Sequence, residues 1–253
     1  MWYRFAAYPA IDPKAFFEAL VQVHKNMEND PKAGIIVTAS PTAFSVIFVY
    51  GVYTADPAVF APFKSLTPTV ESTPPTNGTT MGFITLLSPP EPKASHDTVG
   101  VTTYLDADLY TDIYNQYLKV ATTVGSSTSA FLMPIHTFGS ATAQIAAQNG
   151  GNVMGVSAKA QTWWHPTVQW TNPADDAKNH QALIDLAHSI QVSAQAKGLY
   201  DKYIFANVAA RDQQVLQGYG QSNVDFMKTV SRKYDPLQTF QKLQNGGFLV
   251  SKV

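Results

Sequence analysis

The residues with the greatest chemical reach lie in one short stretch, Thr162 to Thr171, which reads TWWHPTVQWT and holds three of the chain's four tryptophans. On a strand alternate side chains share a face, so Trp163, His165, Thr167 and Gln169 fall on one side and Trp164, Pro166, Val168 and Trp170 on the other. The second set is almost wholly apolar and reads as core. The first sets an aromatic wall beside an imidazole and a carboxamide, the composition of an apolar pocket with a few polar groups. Within it His165 is the candidate proton carrier, because the ordinary histidine pKa lies nearest neutrality. Gln169 and Asn207 are candidate hydrogen-bond donors. Trp163, Tyr50, Tyr53, Met133 and Phe205 are candidate pocket walls, although Tyr50 and Tyr53 have opposite parity and share a wall only if Gly51 marks a bulge. The same side chains equally suit a covered sheet surface or a subunit interface.

Other constellations offer less. Asp176 with His180, and Asp185 with His188, are spaced to share a helix face, but without further ligands they read as solvated pairs rather than a metal site. Asp106, Asp108 and Asp112 read as an acidic first helical turn, not a calcium loop. His136 reads as a core histidine, and Asn77-Gly78-Thr79 as a glycosylation sequon that matters only in a secreted protein. The chain has no G-x-G-x-x-G, Walker, H-E-x-x-H or G-x-S-x-G sequence, so dinucleotide, nucleotide, zinc-protease and serine-hydrolase readings lack their handles.

The elements that must position these groups alternate. Asp12-Pro13 starts a helix with Phe16, Leu20, Val23 and Met27 on one face, which Asn29-Asp30-Pro31 stops. Ile35–Thr38 and Phe44–Thr54 read as antiparallel strands around a turn. Residues 55 to 95, with Pro74-Pro75 and Pro89-Pro90, read as a long irregular excursion holding one short helix near Thr79–Leu87. Strands follow at Thr98–Tyr104, Ala130–Phe138, Thr162–Thr171 and Tyr203–Val208, with Pro166 marking an edge or a bulge. Helices are expected after Asp106, over Ser140–Gln148, after Asn172-Pro173, and at Ser222–Ser231 and Pro236–Leu243. The fold class is therefore α+β, an antiparallel sheet with helices on one face, its other face free.

Composition limits the partners. The 253 residues are 45% hydrophobic, carry 17 Lys+Arg against 18 Asp+Glu, and include three arginines, Arg4, Arg211 and Arg232. No phosphate-tracking surface is visible, so nucleic acid is excluded as a partner. No membrane span and no signal peptide are evident. Zero cysteine rules out disulfides, a cysteine nucleophile and a flavin tethered through sulfur.

One family resemblance runs through most of the chain. Tyr203-Ile-Phe-Ala-Asn207-Val-Ala, Tyr219-Gly220 with Asn223, Lys233-Tyr234-Asp235-Pro236, Phe240-Gln241 and Gly246-Gly247-Phe248 resemble, in order and spacing, the C-terminal region of berberine-bridge-enzyme-like flavin oxidases. Asp30-Pro31-Lys32-Ala33 and Trp170 to Asp176 resemble the substrate-binding half of the same family. The resemblance implies a single substrate-binding domain over 1–253, an antiparallel sheet that in the oxidases roofs the flavin ring, without the FAD-binding domain. It also implies a packing role for the tail, with Asp235 capping, Tyr234 and Phe240 packed, and Gly246-Gly247 reversing the chain.

Without FAD, a sheet of this kind can hold an apolar reactive molecule in one conformation and donate hydrogen bonds to its carbonyl. Similarity to the fungal hetero-Diels-Alderases of tropolone sesquiterpenoid biosynthesis thus implies a cyclase without cofactor, in which His165, Gln169 and Asn207 serve an activated diene. The alternatives are the substrate-binding subunit of a split flavin oxidase and a carrier of an apolar metabolite. An uncovered sheet face is also expected to self-associate, giving a dimer.

Overall fold

A computed structural model of the chain describes residues 1–87, 93–244 and 246–253. It opens with a strand that the proline-flanked start does not announce, β1 (Trp2–Pro9), and continues through α1 (Pro13–Met27), β2 (Ala33–Ala39) and β3 (Ala43–Tyr50). Next come β4 (Val70–Asn77), α2 (Thr80–Leu86), β5 (Ser95–Thr98), β6 (Val101–Tyr104), α3 (Ala107–Ala121), β7 (Thr128–Phe138) and α4 (Ser140–Gln148). The remainder is β8 (Gln161–Trp164), β9 (Thr167–Trp170), α5 (Asp176–Ala196), β10 (Tyr200–Asp201), α6 (Val215–Gly218), α7 (Gln221–Tyr234) and α8 (Thr239–Leu243).

Helix starts follow local chemistry. The Asp12 carboxylate accepts from the Ala15 N–H at 3.1 Å with Pro13 in the first turn, and Asp106 does the same for the Leu109 N–H at 2.6 Å. Strand pairing is antiparallel throughout, in the order β10, β6, β8, β7, β2, β3, β1, β4, with β9 also on β7 and β5 on β9. Helices α1, α3 and α5 cover one face, and between them and the sheet Trp164 is fully buried, edge-on to Tyr110 at 4.8 Å and to Phe17 at 6.4 Å. The α+β layer with helices on one face is thus the observed fold.

Several expected boundaries move. Thr162–Thr171 is two strands broken at His165-Pro166, since proline has no N–H for the ladder. The partner strand breaks alongside: the Val99 N–H donates to the Pro166 carbonyl at 3.3 Å, and the Thr98 hydroxyl to the same oxygen at 3.2 Å. Tyr203–Val208 is not a strand. Pairing with β6 is confined to Tyr200–Asp201, and Ala206–Val208 is a 3₁₀ turn. The proline-rich excursion is more ordered than expected, holding a 3₁₀ segment at Ala58–Ser65, β4 along the sheet edge, and α2; Pro89-Pro90 lie outside the described residues. Edge position tolerates Pro74 and Pro75. Pro236–Leu243 is helical only from Thr239, because the two Asp235 carboxylate oxygens accept from the Thr239 and Phe240 N–H groups at 2.7 and 3.0 Å.

The face opposite the helices is only partly free. At one end α2 lies on it, with Phe83 against Tyr3 and Phe5 at 5.5 and 5.8 Å between ring centres. At the other end the chain after β10 forms a second apolar layer, in which Tyr203, Val215, Leu216, Tyr219 and Val224 bury Trp163. This layer comes very close to the chain beneath it. A Cβ on Gly218 would stand 2.6 Å from the Lys202 carbonyl oxygen, so no larger residue fits. Gln213 ties the layer to the sheet by accepting from the Gly100 N–H and donating to the Gly100 carbonyl, both at 2.8 Å.

Candidate functional site

Between these two covers a strip of sheet remains open. Strand register aligns one transverse row across it, Phe5 opposite Ile47, Ile47 opposite Ile36, Ile36 opposite His136 and His136 opposite Trp163. Directly opposed residues point to one face. A neighbouring row places Ser45 opposite Thr38 and Thr38 opposite Pro134. Ile36, Ile47, Pro134 and His136 are half-buried and Ser45 is exposed, so the floor is apolar with isolated polar groups.

The row ends in an aromatic and imidazole cluster. Trp163 stacks on Phe138 at 4.6 Å and meets Phe205 at 4.8 Å and Tyr203 at 5.3 Å, while its indole N–H donates to Gln161 Oε1 at 3.0 Å. His165 lies edge-on to His136 at 4.4 Å, is 8% exposed, and its Nε2 has no hydrogen-bond partner. Burial, and to a lesser degree the neighbouring His136, pushes its pKa down to about 3. Burial also lowers that of His136. Both rings are therefore neutral near pH 7, and burial moves His165 away from the near-neutral titration that its residue type suggests. A neutral imidazole on this floor can donate or accept a hydrogen bond without bringing charge into an apolar site.

The structure gathers only part of the expected set. Trp163 and Phe205 meet, while His165 lies against His136, which is opposite Trp163 on the neighbouring strand. Gln169 shares their face but lies beyond the Pro166 break, opposite Ala130 and His96. Met133 points the other way with Phe131 and Ile135 and is fully buried in the helix-side core. Tyr50 donates its hydroxyl to Asp30 Oδ2 at 2.8 Å, and Tyr53 follows the end of β3 with its side chain 65% exposed, so no bulge at Gly51 brings the two together. Asn207 is exposed on its 3₁₀ turn. Strand parity alone could have found Phe138, the residue missed, and His136, read from the sequence as a core histidine, lies instead half-buried on the open face.

A second polar cluster lies off this face. His180 on α5 bridges Asp97 on β5 and Asp212 in the C-terminal layer, with contacts of 2.6 and 3.0 Å. The bond to Asp97, against desolvation and with help from Asp212, raises its pKa. The cleft beside it, about 780 Å³, is lined by Trp170, Asp176, Gln181 and Arg211. Asp176 does not pair with His180 but accepts from the Trp170 indole N–H at 2.6 Å, and no group of three metal-ligating side chains occurs among the described residues. No described helix is long and apolar enough to cross a membrane.

Comparison with known proteins places this geometry. No protein-family model matches the chain. An FAD-dependent monooxygenase of Arthrobotrys oligospora is 32% identical over 255 residues, covering 98% of this chain and 49% of that protein. Bifunctional solanapyrone synthase of Alternaria solani is 32% identical over 103 residues, 41% of this chain and 20% of its own. Among solved structures, a BBE-like protein of Physcomitrella patens superposes with a TM-score of 0.64 at 13% identity, over 98% of this chain and 53% of that one. The fold is shared with about half of that BBE-like protein. The chain spans about half the length of the FAD-dependent monooxygenases of Arthrobotrys oligospora and Aspergillus niger, which it matches over 98% and 100% of its own length.

Residues that carry the berberine-bridge-like resemblance have structural partners here. Asp30 anchors Tyr50 and pairs with Lys32 at 2.9 Å, Asp176 holds Trp170, and Asp235 caps α8 as expected. Tyr234 and Phe240 do not pack as expected; they are 73% and 74% exposed.

Proposed function

We propose that the open strip of sheet is a substrate wall. In this reading the chain holds an apolar polyketide- or terpenoid-derived intermediate of fungal secondary metabolism against Ile36, Ile47 and His136, beside the covered Trp163. An FAD-binding body of the kind its relatives use supplies the opposite wall. The observation that carries the reading is the apolar row crossing five strands of an otherwise covered sheet. A flat row of half-buried aliphatic side chains suits the face of a planar ring, whether flavin or substrate. Bound FAD would supply the electron acceptor. The chain's own residues would exclude water and position the substrate, and an oxygen at the unpartnered His165 Nε2 would satisfy that buried atom.

A second reading keeps the same wall and dispenses with redox chemistry: a hetero-Diels-Alder cyclase that adds a quinone-methide-like diene to an alkene. The neutral His136–His165 pair favours it, since donation to a carbonyl from a low-dielectric site is the assistance such an addition needs. The test compares the colourless chain alone with the chain mixed with FAD and a flavoprotein partner, on fungal polyketide and terpenoid precursors. Oxidation only in the mixture supports the first reading. Cyclisation by the colourless chain, faster than in buffer and with one stereochemistry, moves the assignment to the second. Binding without conversion in either setting leaves a carrier and overturns both.

A further inference from the structure

Two clefts follow one another along α5. The first, about 780 Å³, is lined from the helix by Asp176, His180 and Gln181 and from the C-terminal layer by Ala209 to Arg211. The second, about 490 Å³, is lined from the helix by Ile184, His188 and Gln191 and from the layer by Asp212 to Gln214. Helix and layer thus pass both clefts in turn, and the His180–Asp212 bond, 3.0 Å long, joins a lining residue of one to a lining residue of the other. That bond is the partition between them. Without it the clefts form one groove from Asp176 to Gln191, about 20 Å of helix.

The two carboxylates do not hold the ring equally. Asp97 meets Nδ1 at 2.6 Å with its side chain 25% exposed, whereas Asp212 meets Nε2 at 3.0 Å and is 52% exposed. A charged imidazole donates to both. A neutral one has a single N–H, and keeping it on Nδ1 for the closer, less hydrated partner leaves the Nε2 lone pair facing a carboxylate. Two acceptors then repel, and the half-hydrated Asp212 side chain gives way because water replaces its bond. Its backbone is pinned. Arg211 and Asp212 are the central residues of a turn closed by the Gln213 N–H on the Ala210 carbonyl at 3.0 Å, and the Gln213 carboxamide grips Gly100 and the Ala210 N–H. We propose that His180 is a proton-operated gate: loss of the imidazolium proton to solvent turns the Asp212 side chain outward and joins the two clefts into one groove, while the turn and the layer behind it stay in place.

Of the charged groups lining the clefts, Asp97, Asp176 and Asp212 favour the charged ring, and Arg211 and Lys202 oppose it. The bond to Asp97 outweighs desolvation and raises the His180 pKa. The gate is therefore closed below the ordinary histidine value of about 6.5 and opens as pH rises through the folded one. His96 and His188 line the same clefts, so substitution identifies the ring responsible. In a nuclear magnetic resonance titration of the whole chain from about pH 5 to about pH 9, the His180 ring, the Asp212 carboxyl carbon and the Arg211 amide should shift with one midpoint while the Gly100 amide stays unchanged. His180→Leu should abolish that transition and hold the Asp212 signal at its alkaline position. Asp212→Asn, whose amide accepts from Nε2–H or donates to bare Nε2, should keep the clefts apart throughout. Crystal structures at the two ends should show Asp212 on Nε2 in acid and turned away in base, with the Asp212→Asn side chain in place in both. Release of Asp97 in place of Asp212, an Asp212 that stays on the ring in base, a transition that survives His180→Leu, or detachment of Gln213 from Gly100 would each overturn the proposal.

Discussion

Strands β3 and β8 belong to one sheet yet meet different surroundings. In β3 burial alternates, with Phe44, Val46 and Phe48 closed in on the helix side, Ser45 exposed and Ile47 half-buried. In β8 all four residues, Gln161 to Trp164, are buried, because the C-terminal layer covers the face that β3 leaves open. The contrast separates two jobs. Side chains buried on both faces hold the protein together, while the open face of β3 and β2 costs little to change and is where a ligand or second wall can act.

The sharpest test of this division is Trp164→Ala. Its ring fills the helix-side core and its indole N–H donates to Thr103 Oγ1 at 2.9 Å, so the substitution should cost about 3–5 kcal/mol in urea unfolding. Trp163→Ala, one residue away, should cost less, about 3 kcal/mol, and act locally. Amide exchange should rise in 203–219 while α1 and α3 stay protected. Equal loosening of both regions would dissolve the distinction between the two layers.

The two histidine clusters should answer pH in opposite directions. His165 has a folded pKa of about 3, and His24, buried with Nε2 3.1 Å from the Phe138 carbonyl oxygen, has one of about 4. An unfolded histidine titrates near about 6.5, so below that pH the unfolded chain binds protons the fold refuses. Stability should therefore fall as pH drops from about 6.5 toward 3, by up to about 1.4 kcal/mol per pH unit per group. His165→Phe should remove its share of that slope in urea titrations. His180 is raised, so its clasp is fully present below the ordinary histidine value and is lost as pH rises through the folded one. Asp212→Asn should lower stability by no more than about 1 kcal/mol at pH 6, a difference that closes in alkaline solution.

How legible this was depended on the range of the interaction. Caps, first-turn prolines and helical spacing gave the starts of α1 and α3 and both ends of α4, because those signals are local, while the Asn172-Pro173 start opens a 3₁₀ turn ahead of α5. Strand parity rightly divided Trp163 and His165 from Trp164, Val168 and Trp170. It could not show that the segment after β10 folds back over Trp163, a contact between residues some forty positions apart. Met133 was within reach of parity, since it alternates with His136 on β7 and shares the buried side of Phe131 and Ile135, whereas Tyr203–Val208 looked like a strand because its apolar side chains serve a cover. His165 looked poised to titrate because its sequence neighbours do not reveal its burial. Asp97 and Asp212 escaped notice because only tertiary folding brings them to His180.

The smallest expected change in stability tests the other side of the comparison. Ile47 sits at the centre of the open row, half-buried between Phe5 and Ile36, with no polar partner to lose. Ile47→Asn should shift unfolding by little more than about 0.5 kcal/mol, since solvent already reaches the site and the new amide stays hydrated. A substrate laid across the row would have to desolvate that amide without a hydrogen bond, which costs about 1–3 kcal/mol. Affinity for an apolar ligand should then fall roughly tenfold or more, measured by quenching of tryptophan fluorescence, of which Trp163 lies at the end of the same row. If binding is unchanged while stability drops by several kcal/mol, the open face is structural like β8 and the substrate lies elsewhere.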